Sequence, residues 1–109
     1  MVDIVFSLSY LSNMKIFKWN AEKNAALEKQ RGITFEEIVE VIESGATVWE
    51  VDHPNSAKYP NQKIMIVDVN GYAHLVSFVK DDQEYFLKTI IPSRKATRQY
   101  IGGQDHEKQ

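Results

Sequence analysis

The dipeptide Asn70-Gly71 lies between KIMIVDV (63–69) and YAHLVSFVK (72–80), two runs rich in β-branched and aromatic residues. Asn and Gly are the residues that most readily take positive φ, and so placed they are the strongest short-range signal for a tight β-hairpin. DDQ (81–83) makes a second turn into EYFLKTII (84–91). Three strands joined this closely can pair only as an antiparallel meander, because parallel neighbours need a crossover of a dozen residues or more. The meander excludes every all-helical fold.

Upstream signals complete the plan. MKIFKW (14–19) alternates as a short strand, with Ile16 and Lys18 on one face and Phe17 and Trp19 on the other. Asn20 is placed as the N-cap of a helix over AEKNAALEKQR, which Gly32 stops. Thr34 and Glu37 form a T-x-x-E capping box for a second helix, in which Phe35, Ile38, Val39 and Ile42 recur at i, i+3, i+4 and i+7. Gly45 ends it. Glu36, Glu37, Glu40 and Glu43 lie mainly off that stripe and read as a solvated face. TVWEVD (47–52) is a further strand, and HPNSAKYPNQ (53–62) is a loop. Pro92-Ser93 opens a last short helix that Gly102-Gly103 closes. The expected fold is α+β: two N-terminal helices packed on a four-stranded, largely antiparallel sheet with a short C-terminal helix, one sheet face staying partly open. Residues 1–13 are expected to be an N-terminal extension, with Met14 a second plausible start. Residues 14–103 form the single domain, and 104–109 a polar, frayed tail.

Composition removes several functions. The chain of 109 residues has room for one ordinary domain. It contains no cysteine, which excludes disulfides, thiolate metal sites and a cysteine nucleophile, and fits a cytoplasmic location. No apolar run approaches the ~18 residues of a membrane span, and the first thirteen residues lack the basic start and cleavage site of a signal peptide. His53, His74 and His106 show no ligand spacing, so no metal is expected. G-x-S-x-G, P-loop and G-x-G-x-x-G patterns are missing, so no cofactor is expected either. The net charge of −2 argues against bulk attraction to nucleic acid, but its distribution is polar. Residues 32–57 hold acids and no Lys or Arg, whereas residues 86–104 hold Lys88, Arg94, Lys95 and Arg98 and no acid.

That basic end reads IIPSRKATRQYI (90–101) and sets Arg94 and Lys95 on the first turn of a helix. Cations are disfavoured there by roughly 0.3–1 kcal/mol each, and a bound anion would repair the mismatch. Lys18, Lys58, Lys63, Lys88 and Arg98, with His53 and the aromatic residues Trp19, Tyr59 and Tyr100, complete a cationic and aromatic set. Phosphate contacts beside aromatic rings, without a cofactor, suit single-stranded RNA. Taken singly, most of these cations read as ordinary surface residues, Trp19, Trp49 and Tyr100 as core, and His74 as a satisfied strand histidine.

FKWNAEKNAALEKQRGITFEE resembles the start of BrnT-type toxins, in which an F-x-W-(D/N)-x-x-K entry precedes a K-x-x-G-(I/V)-x-F-(E/D) turn. IIPSRKATRQYI is similar to that family's closing I-I-x-(S/A)-R-K-A-T-x-x-x-Y signature. The resemblance spans about residues 14–101, with Trp19, Lys23, Gly32, Phe35, Arg94, Lys95 and Tyr100 in the shared motifs. The loop HPNSAKYPNQ and Pro92 depart from the pattern and mark a divergent subgroup.

The resemblance implies a fold like the RelE/ParE toxins and a metal-independent endoribonuclease. It further implies a cognate antitoxin, small and DNA-binding, held with the toxin in a hetero-oligomer. A metal-free ribonuclease must deprotonate the 2′-OH, stabilise a phosphorane and protonate the leaving 5′-oxygen, which yields 2′,3′-cyclic phosphate and 5′-OH ends. Arg94 and Lys88 are the candidates for the phosphorane charge, and His53 or Tyr100 for the protons, histidine being the readier acid or base. Lys95, Arg98, Lys58 and Lys18 would hold the RNA backbone. The alternative is a toxin-fold module without catalysis that binds an antitoxin or RNA. A third reading is an α+β domain with no nucleic-acid role.

Overall fold

The computed structural model describes the backbone of residues 4–8 and all of residues 15–102. Asn70 and Gly71 take φ of 56° and 85°, and the Asp68 carboxylate accepts the Gly71 N–H at 2.7 Å. The hairpin joins β4 (Gln62–Val69) to β5 (Tyr72–Asp81), and a turn with Asp82 at φ 62° leads into β6 (Glu84–Pro92). With β3 (Val48–Asp52) this makes four consecutive antiparallel strands. Both helix starts are as the sequence reads. Asn20 Oδ1 accepts the Lys23 N–H to open α1 (Ala21–Arg31), and Thr34 and Glu37 exchange reciprocal bonds at the start of α2 (Phe35–Glu43).

The α+β class holds, but the count of four strands is corrected to six among the described residues. The sheet runs β1-β2-β6-β5-β4-β3, where β1 is Ile4–Leu8 and β2 is Ile16–Asn20. β2 lies parallel to β6, with Phe17 opposite Tyr85 and Trp19 opposite Leu87, so the first and last segments of the domain meet in the sheet. β1 adds an antiparallel edge beside β2 and comes from the segment that precedes Met14. Met14 itself, the rest of residues 1–13 and the tail 104–109 lie outside the described residues. No helix among the described residues is long and apolar enough to cross a membrane.

The two sheet faces differ. α1 and α2 cover one, where Phe17, Trp19, Phe35, Ile38, Phe78 and Leu87 are buried together around Met65, Val67 and Val76. Each such side chain contributes about 1.5–3 kcal/mol of burial, so this layer carries most of the stability. Across the other face lies α3 (Arg94–Ala96), which widens without a break into a π-helical turn over Thr97–Gly102. Ala96, Tyr100 and Ile101 pack there with Trp49, Ile64, Ile66, Ala73 and Leu75. The α-helical part is only three residues long, so it carries little of the dipole that the sequence reading set against Arg94 and Lys95.

Candidate nucleic-acid interface

α3 is bolted to the sheet by two short hydrogen bonds and braced by others within its own turn. Ser93 N–H donates to the Ala73 carbonyl at 3.0 Å. The Thr97 hydroxyl accepts the buried Ala73 N–H at 2.8 Å and donates to the Ser93 carbonyl at 2.8 Å. Ser93 Oγ in turn accepts the Ala96 N–H at 3.0 Å as the N-cap. Ala96, Tyr100 and Ile101 therefore face inward, and Arg94, Lys95 and Arg98 are exposed. None of these three cations has an ion-pair partner among the described residues.

Beside this helix the same sheet face stays open. Lys18 on β2 stands opposite Phe86 on β6, with Val79 beyond, and Thr89 stands opposite Ser77 one row along. Ile91, 45% exposed, borders the helix opposite Leu75. A β-bulge shapes the centre of this surface. Phe78 pairs with Leu87 and Ser77 with Thr89, so Lys88 is the extra residue of β6. A bulge re-aims its side chain while the flanking pairs keep their faces. Leu87 and Ile90, three apart, thus both remain buried, and the Lys88 ammonium lies over the Phe86 ring at 5.0 Å.

The expected site residues fall into separate groups. Lys18 and Lys88 share the open face, although Lys18 is tied to Glu84 at 2.9 Å. Arg94, Lys95 and Arg98 line its border on the helix. Tyr100 is held against Trp49, ring centroids 5.1 Å apart, so its ring is part of the packing. His53 and Lys58 belong to the loop after β3, where the Tyr59 ring lies tilted against His53, centroids 4.6 Å apart, and the Lys58 ammonium lies over Tyr59 at 5.3 Å. That loop leaves the sheet at the opposite end from α3. Counting strand spacings and residues from Lys63 to Val67 puts His53 roughly 20 Å from the start of α3.

The His53 ring is engaged locally as well. Its Nδ1 accepts the Asn55 N–H at 3.0 Å, so the remaining proton is on Nε2 and the ring offers a donor there, with no free lone pair for a base. Lys88, Arg94, Lys95 and Arg98 are all exposed.

Phe86, Ser93 and Thr97 were missed as parts of this surface. Thr97 had a readable signal, a hydroxyl four residues after the N-cap Ser93. His74 is a strand histidine satisfied locally, its Nδ1 2.9 Å from the Tyr72 carbonyl. Compared with models of protein families, with curated proteins and with solved structures, the chain matches none.

Proposed function

We propose that this protein is an RNA-directed toxin of a toxin–antitoxin pair, a metal-independent endoribonuclease that takes its substrate across the open sheet face. One observation carries the reading. A rigidly docked helix presents Arg94, Lys95 and Arg98, unpaired among the described residues, beside an open strip that holds Phe86 and the bulged Lys88. Phosphates would run along the cations while a base rests on the Phe86 side of the strip. Arg94 and Lys88 would stabilise the phosphorane as the 2′-oxygen attacks, its proton passing to water, and the 5′-oxygen leaves, taking a proton from water. The cytoplasm is where such a protein would meet RNA and its antitoxin.

A second reading has its own support, namely a toxin-fold module that binds RNA or an antitoxin without cleaving. It draws on the distance of His53 from Arg94 at the start of α3 and on the engagement of its Nδ1. An assay with end-labelled single-stranded RNA in EDTA separates the two. The ribonuclease reading expects fragments with 2′,3′-cyclic phosphate and 5′-OH ends, lost in Arg94→Gln and Lys88→Gln at unchanged melting temperature. Salt-dependent binding without fragments would move the assignment to the binding module. Neither binding nor cleavage would end both.

A further inference from the structure

The sheet ends at β3, which pairs with β4 on one side and with no strand among the described residues on the other. The N–H and C=O groups of alternate residues along Val48–Asp52 therefore point away from the sheet. No backbone group among the described residues takes them up. The two faces of this edge differ in kind. Trp49 and Val51 stand opposite Ile66 and Ile64, on the side of α3, and Val51 is 37% exposed. Glu50 and Asp52 stand opposite Met65 and Lys63, on the side of α2, and both are exposed. Asp52 has Lys63 at 3.7 Å, whereas Glu50 has no ion-pair partner among the described residues. Residues 32–57 supply no Lys or Arg.

We infer that the β3 edge takes an extended segment of a protein partner as a further strand, one in which lysine or arginine alternates with apolar residues. Unpaired backbone at a sheet edge can accept any extended chain, and the side chains decide which one. A second copy is the wrong occupant. Two β3 strands paired about Glu50 would set Glu50 against Glu50, and like charges directly opposite destabilise a sheet. A cationic alternation reverses that sign. Directly opposite residues share a face, so cations at every second position meet Glu50 and Asp52, while the apolar residues between them cover Trp49 and Val51. The acidic character of residues 32–57 also favours the approach of a basic segment over an acidic one. The inference stands apart from the RNA reading, because Lys88, Arg94, Lys95 and Arg98 all lie outside β3.

The test is an NMR titration of the intact ¹⁵N-labelled protein with capped peptides. The probes are acetyl-Lys-Val-Lys-Val-Lys-amide, the same peptide with every backbone amide N-methylated, and acetyl-Glu-Val-Glu-Val-Glu-amide. The lysine peptide should shift the amides of residues 48–52 in a saturable way and slow hydrogen exchange at alternate amides among them roughly tenfold. The methylated peptide keeps the charge but cannot pair, and the glutamate peptide can pair but is repelled, so neither should do this. The exposed double change Glu50→Gln with Asp52→Asn should weaken the lysine peptide roughly fivefold. Arg94→Gln should leave it unchanged, which keeps a failure of this edge distinct from a failure of the RNA surface. The inference is overturned by a flat titration, by equal effects of the methylated peptide, or by equal effects of the glutamate peptide. Shifts at residues 48–52 that follow protein concentration alone would assign the edge to a second copy and overturn it too. The comparison of the peptides uses the unmodified protein and holds even if the double variant does not fold.

Discussion

Thr97→Val should be the most informative single change in the C-terminal region. The two side chains have nearly the same volume, so no cavity opens, yet the hydroxyl is lost. In the native protein that hydroxyl accepts the Ala73 N–H at 2.8 Å, and Ala73 is fully buried. Without it the amide is left unpaired, at about 1–3 kcal/mol. The bond from Thr97 to the Ser93 carbonyl goes as well, but that carbonyl keeps the Thr97 backbone N–H at 3.0 Å and so stays satisfied. The expected loss is therefore about 2 kcal/mol, which in a domain near this size lowers the melting temperature by about 10 °C. Thr97→Ser keeps both bonds and removes one partly exposed methyl, so it should lose under ~1 kcal/mol. Urea unfolding followed by circular dichroism and by tryptophan emission measures the global term, and the Trp49–Tyr100 contact makes emission sensitive to helix detachment. If the helix lifts off locally, the loss appears instead as faster hydrogen exchange at Ala73. A Thr97→Val protein within ~0.5 kcal/mol of the native one, with Ala73 exchanging equally slowly, would refute the assignment of Thr97 as the bolt.

Gly71→Ala should lower stability by about 1 kcal/mol in thermal melts. Nothing lies within 4 Å of the added Cβ, so the loss is purely that of holding a non-glycine residue at φ 85°. Deleting Lys88 should regularise β6 and leave a folded protein within about 1 kcal/mol, since Leu87 and Ile90 keep their faces. Deleting Phe86 should unfold it, because the alternation then turns Lys88 towards the helices in place of Leu87. Melts of the two deletions decide this, and equal stability would refute the bulge assignment.

The local parts of the fold were readable because each is decided within a few residues. Thr34 and Glu37 satisfy one another's backbone donors, and Asn70-Gly71 needs no tertiary help to turn the chain. What escaped was decided at long range. The parallel pairing of β2 with β6 joins residues almost seventy positions apart, and no feature of FKWN announces which strand it will meet. The bulge at Lys88 hides in LKTI, where a strict two-residue period would bury either Leu87 or Ile90 but not both. Trp19 was legible as core, but its indole proton, unpaired among the described residues, was not, since a missing partner is a property of the packed interior. His53 was grouped with Arg94 on chemistry alone, and the sheet holds the two apart along β3 and across three strand spacings.

The placement of Arg94 and Lys95 follows from these findings. On a long helix their position would oppose a full dipole, but here a single α-turn passes at once into the wider turn of Thr97–Gly102, so the opposing field is small. The short helix cannot hold its own shape by propagation, because one turn lies below the length at which helices stabilise themselves. Its order comes from Ser93, Thr97 and the inward Ala96, Tyr100 and Ile101. Every stabilising contact is on the side that faces the sheet, and the outward side carries Arg94, Lys95 and Arg98 without acids to answer them. A surface helix selected for stability alone would have mixed signs on that outer side, as α1 does with Glu22, Lys23, Glu28 and Lys29. The division of labour within these nine residues is the strongest physical reason to look for a polyanion at this end of the molecule.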